Sequence, residues 1–127
     1  MCQSQAQAGG ARRLGQIFRL QAGVDGAPDQ LQLFLESTDP DVMDYADNIA
    51  VAPWGHMIVC EDRTGGKVNH IRCVTPGGQV YTLARLNADT ELAGACFSPD
   101  GGTLFFNAYS PGRTLAVTGP WRNLKAA

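Results

Sequence analysis

The sequence predicts an all-β fold, and three observations carry that prediction. Short apolar or alternating runs recur along the chain, each bounded by Gly, Pro, Asn or Asp. No helix-length window holds an apolar stripe at the 3.6-residue period. The connections are tight and turn-forming: "WG", "PGG", "DGG" and "PG".

In chain order the predicted strands are "GQIFRL" (15–20), "LQLFLES" (31–37), "NIAVAP" (48–53), "HMIVCED" (56–62) and "NHIRCVT" (69–75). They continue with "QVYTLARL" (79–86), "GACFSP" (94–99), "TLFFNAY" (103–109) and "TLAVTG" (114–119). The acidic stretch "TDPDVMDYADN" (38–48) has room for one helical turn, and Pro40 blocks anything longer. Residues 1–14, polar and Gly/Ala-rich, read as a flexible lead-in. Residues 15–121 form the β domain and 122–127 a tail.

An internal echo refines the fold class. Placed over "GACFSPDGGTLFFN" (94–107), the stretch "NIAVAPWGHMIVCE" (48–61) aligns Pro53 with Pro99 and Gly55 with Gly101, an offset of 46 residues. A unit of about 40–50 residues with four strands is the size of one β-propeller blade. The chain parses as the outer two strands of one blade (15–37), a complete blade (48–86) and the inner three strands of another (94–119). A closed propeller needs at least four blades, or about 160 residues. The expectation is therefore a partial β-propeller of about two to two and a half blades. Its open edges invite self-association.

Composition limits the functions. Apolar residues make up 44% and charged residues 17%, a globular balance rather than a disordered one. The net charge of −2 and scattered Lys and Arg argue against a nucleic-acid surface. No run approaches the length of a membrane span, and no secretory signal is visible. Cys2, Cys60, Cys73 and Cys96 show no C-x-x-C or zinc spacing, and Cys60 and Cys96 read as small buried hydrophobes. No Ser-His-Asp order, nucleotide-binding Gly loop or paired-His helix is present.

The acids are more telling. In a blade the start of the inner strand and the end of the second lie on one rim. That places Asp47, Asn48, Glu61, Glu91 and Asn107 at one end of the channel. Gathered carboxylates repel one another and stay charged around a cation, and oxygen ligands suit hard ions such as calcium. Asp62 reads as a ligand or as an ordinary loop acid, and Asp100 in "SPDGG" as a turn residue. His56 and His70 are expected to be solvated.

Four stretches, "DNIAVAPWGHMIVCEDR", "NHIRCVTPGGQVYTLAR", "ELAGACFSPDGGTLFFN" and "PGRTLAVTGPW", resemble in that order the C-terminal part of the PhoX-type alkaline phosphatases. The resemblance runs from about Gly15 to Trp121. It implies a six-bladed propeller with a calcium and iron cluster that hydrolyses phosphate esters. Within it, the metal-ligand roles fall best on Glu61 in "CED" and Glu91 in "ELAG", with Asp47 and Asn48 matching a "DN" stretch. The family's cysteine ligand and phosphate-holding Arg or Lys have no counterpart here. Members of the family are usually exported with a twin-arginine signal, and "ARR" at 11–13 does not make one. The resemblance thus implies the C-terminal segment of a phosphatase, inactive as an isolated chain. Two other readings compete: a propeller interaction module whose acids are solvated, and part of a calcium-dependent lactonase-like hydrolase.

Overall fold

The computed structural model describes residues 2–3, 14–63 and 68–126. The described residues form ten strands and one 3-10 helix: β1 (Cys2–Gln3), β2 (Gln16–Gln21), β3 (Gln30–Glu36), β4 (Ala46–Val51), β5 (Met57–Glu61), β6 (Asn69–Val74), β7 (Val80–Leu86), β8 (Leu92–Phe97), β9 (Thr103–Ala108), β10 (Arg113–Thr118) and the helix Trp121–Ala126. They form three antiparallel sheets ordered β1-β2-β3, β4-β5-β6-β7 and β10-β9-β8. The all-β prediction holds, and all nine predicted strands are present within one or two residues. The strand β1, a two-residue pairing of Cys2 and Gln3 with Ile17 and Gln16, falls in the stretch read as a lead-in. The rest of that stretch up to residue 13 lies outside the described residues. The acidic stretch supplies a single turn, in which Val42 and Met43 amides donate to the Asp39 carbonyl.

The middle sheet is covered on both faces. Ile58, Cys60, Ile71 and Cys73 pack towards Leu92, Leu104 and Phe106 of the C-terminal sheet. Val59 and Val74, on the opposite parity, pack with Ile17, Met43 and Ala46 on the side of the N-terminal sheet. A strand buried on both faces reads as a continuous apolar run, which is why "MIVCE" lacks alternation. The outer strands β3 and β10 alternate or lie open instead. Burial of both faces makes β5 and β6 the centre of the molecule.

The two echoing turns meet. Gly101, at φ +70°, stands so close to Pro53 that a Cβ would lie 2.9 Å from its Cγ, so the turn needs glycine for both its backbone and its space. Beside them Trp54 stacks on Trp121, with centroids 5.7 Å apart and planes at 17°, and Phe97 meets both edge-on. The Trp121 indole donates to the Gly102 carbonyl at 2.8 Å and ties the C-terminal helix to this seam. Truncating the fully buried Ile58 to Ala should cost about 3 kcal/mol in urea unfolding, because the middle sheet cannot collapse into the space from either side. A loss under about 1 kcal/mol would show that the centre is less tightly packed than described.

Candidate cation-binding rim

Asp47, Asp62 and Glu91 lie near the strand ends where β4 begins and β5 ends, close enough to repel one another. Three local devices place them. Asp47 is the extra residue where the β4–β5 register shifts between Ala46 and Asn48. Its Oδ2 accepts from Asn48 Nδ2 at 3.1 Å. Asn48 in turn accepts from the Gly94 amide at 3.2 Å, joining β4 to β8. Gly94 sits in a bulge at φ +63°, where a Cβ would strike Asn107 Nδ2 at 2.6 Å. Glu91 is held through its buried neighbour Thr90, whose carbonyl accepts from Asn69 Nδ2 at 2.7 Å and whose hydroxyl accepts from the Ser110 amide at 2.7 Å.

The Asp62 amide donates to the Tyr45 carbonyl at 2.9 Å. Both of its chain neighbours are fastened. The Arg63 amide and carbonyl are bracketed by the Asn69 side chain at 2.7 and 3.1 Å, and its guanidinium pairs with buried Asp44 at 3.0 Å. Among the described residues neither Asp62 nor Glu91 has a cationic partner.

The electrostatics follow from that. Burial raises the Asp62 carboxyl above its ordinary pKa, and the Asp47 charge raises it further. Burial also raises Glu91, with added repulsion from Asp62 and then Asp47. The three acids repel one another, and hard oxygen donors of this kind suit a divalent cation. Their chemistry fits such an ion, but their number does not complete a site. Among the described residues no three His, Cys, Asp or Glu side chains converge closely enough to hold a metal.

Glu61 lies elsewhere. It occupies the parity of Val59, on the face of the middle sheet opposite Cys60, and is fully buried. Its Oε1 accepts from the Asp44 amide at 3.0 Å and from Arg72 Nε at 2.8 Å. Its Oε2 accepts from the His70 amide at 3.0 Å and from His70 Nδ1 at 2.8 Å. A carboxylate only accepts, so His70 presents Nδ1–H to it. Arg72 is steadied in turn by Thr82, whose hydroxyl accepts from Nη1 at 2.5 Å. Asp47, Asn48 and Glu91 thus lie near one strand end with Asp62, while the Glu61 carboxylate is taken up by Asp44, His70 and Arg72. Asn107 accepts from Thr114 at 2.7 Å on the outer side of the C-terminal sheet.

Other side chains also depart from expectation. His56 is buried, not solvated, with Nδ1 2.9 Å from the Tyr81 hydroxyl. His70 is engaged by Glu61 rather than by water. Cys96 is exposed, because the β8 bulge turns it to the outer face, whereas Cys60 is buried as expected. Burial raises the Cys73 thiol pKa, and burial together with that thiol pushes Tyr81 up to about 12, so both stay neutral. Asp100 is the turn residue predicted. Its Oδ1 takes the Ser98 hydroxyl at 2.5 Å and the Gly102 amide at 2.9 Å, which hold its pKa low. An open groove of 880 Å³ between Pro53, Trp54, Gly102 and Trp121 lies at the far end of the strands from the acids.

Because Asp62 and Glu91 are raised in the folded state, the folded protein takes up their protons more readily than the unfolded chain. They weigh against folding while ionised, and that burden is relieved as pH falls through their raised pKa values. Glu91→Gln should therefore raise the metal-free melting temperature at pH 7, with the gain shrinking towards about pH 4. Calorimetry across that range checks it, and a gain independent of pH would contradict it.

Searches of curated proteins and of solved structures returned no match. A family model described as alkaline phosphatase PhoX matches residues 3–112, nearly the whole of the chain and every residue of the acidic rim. The acids at one strand end, the three antiparallel sheets and this match together place the chain in the PhoX alkaline phosphatase family.

Proposed function

We propose that the chain contributes one side of the cation site of a metal-dependent phosphatase acting on phosphate esters. The observation that carries this reading is the family match over residues 3–112. The mutual repulsion of Asp47, Asp62 and Glu91, with Asn48 bonded to Asp47, supports it from the electrostatics. We read the three sheets as consecutive blades of a propeller, which puts the start of β4, the end of β5 and the residue before β8 on one rim.

When bound, a divalent cation would neutralise phosphate oxygens and the charge that develops on them. Calcium suits the oxygen donors of the rim, and iron follows from the family alone. The chain's own contribution is placement. Asn48 ties β4, which carries Asp47, to β8, and Thr90 anchors the residue next to Glu91. Repulsion stored among the acids is released when a cation enters, so the rim binds a dication in preference to a neutral ligand. Three acids that do not close on one ion leave coordination positions to other donors, and the chain alone is expected to bind weakly and to turn over little ester.

Millimolar calcium should raise the melting temperature by a few degrees, and the rise should vanish in Asp47→Asn and in Glu91→Gln. Hydrolysis of p-nitrophenyl phosphate with added calcium and iron, beside a lactone, tests the substrate class. An unshifted melting temperature in the unsubstituted protein would overturn the cation reading, and lactone turnover without ester turnover would overturn the phosphatase reading.

A further inference from the structure

We propose that β10 is where two copies of this chain join, its open edge pairing antiparallel with the same edge of a second copy about a two-fold axis at Ala116. The inference goes beyond the phosphatase reading and does not depend on it.

β10 pairs with β9 and ends the order β10-β9-β8, so among the described residues its other edge has no strand beside it. In an antiparallel ladder every second residue turns its amide and carbonyl away from its neighbour, so that edge carries a row of unpaired donors and acceptors. The two other outer strands are blunted. The β3 ladder shifts register at Ile17 and Phe18, and the strand ends in Glu36. The β7 ladder shifts at Ile71 and Arg72, and the strand carries Arg85. In β10 all six residues pair with β9 without a break, and Thr114–Thr118 hold no charge and no proline. The chain beyond β10 turns to the seam with the middle sheet, where Trp121 stacks on Trp54 and donates to the Gly102 carbonyl.

The occupant follows from the strand itself. A two-fold axis perpendicular to the sheet keeps the inner faces of both copies on one side, which requires the pairing to centre on a residue rather than between two. Centred on Ala116, the run Thr-Leu-Ala-Val-Thr opposes Thr114 to Thr118, Leu115 to Val117 and Ala116 to itself. Leu115 and Val117 are half-buried and packed against the core, so each Leu–Val pair extends an apolar layer that already exists. The Thr–Thr pairs fall on the exposed face and are a favourable cross-strand combination. Charge agrees with this register. Arg113 comes opposite Gly119 of the second copy, which is in line with Gly102, one step beyond the Thr118–Thr103 pair. The Asp100 carboxylate accepts from the Gly102 amide at 2.9 Å. Two strand spacings, about 10 Å, separate the Arg113 and Gly102 backbones, a gap an arginine side chain closes towards that carboxylate. The two Arg113 residues themselves stand at opposite ends of the pair, about 20 Å apart and beyond effective repulsion.

A single strand pair buries less than a standard interface, so the dimer is expected to be weak and concentration-dependent. Sedimentation velocity from about 10 µM to about 1 mM at pH 7 should show the mass rising towards twice that of one chain. Ala116 is exposed, so Ala116→Lys and Ala116→Glu should each move the melting temperature of dilute protein by less than about 2 °C. Each should weaken association at least tenfold, because like charges then stand directly opposite. Mixing the two variants should restore association, since the opposed charges now differ, and only a pairing centred on residue 116 does this. Arg113→Glu supplies an independent variant should those at 116 not fold, and is expected to weaken association at least threefold. One-chain mass across the whole range would overturn the proposal. Association that survives Ala116→Lys would place the contact on another surface and overturn it as well, and a mixture that stays monomeric would overturn the register.

Discussion

A carboxylate in the centre of this molecule sets the terms for everything around it. Burying an ionised acid costs several kcal/mol unless its lone pairs are filled and its charge is matched. Glu61 meets both demands with one guanidinium, one imidazole and two backbone amides drawn from β6 and the 39–45 loop. Those donors are distant in sequence, so filling the lone pairs also fixes the junction of two sheets. Asp44 is also buried and pairs with Arg63 at 3.0 Å, the arginine lying nearer to water. Asp62 and Glu91 have no cationic partner among the described residues. Glu61 is thus set apart from Asp62, its neighbour in the chain, by the partners it has.

That separation explains what could be read from the chain and what could not. The strands were legible because alternation and turn residues are local signals. The two turns that echo each other, Pro53-Gly55 and Pro99-Gly101, touch in space, which the echo alone did not foretell. The two-residue β1 carries no alternation at all and left no trace. Which strand starts and ends lie side by side was legible, since it follows from antiparallel pairing. That Glu61 would be taken up by a backbone amide of the 39–45 loop and by His70 and Arg72 was not legible, because those partners are set by long-range register.

The same physics accounts for the misplaced histidines and cysteine. His56 follows a Gly turn that looks exposed in sequence, yet the turn folds back against Tyr81 and Trp54. His70 stands across from Glu61 in the ladder, a cross-strand neighbour invisible without the register. Cys96 lies in an apolar run, but the β8 bulge reverses the parity of the residues beyond it, so the thiol faces outwards while Phe97 packs inwards. In each case a long-range pairing overrode a local pattern.

Both tryptophans of the chain share one stack, Trp54 against Trp121. Indole emission from this protein therefore has a single origin, the line along which the C-terminal sheet and helix close onto the middle sheet. The hairpin of β2 and β3, which contains no tryptophan, is optically silent. The acidic end lies a strand's length from this stack, so indole emission reports how the C-terminal sheet and helix sit on the middle sheet.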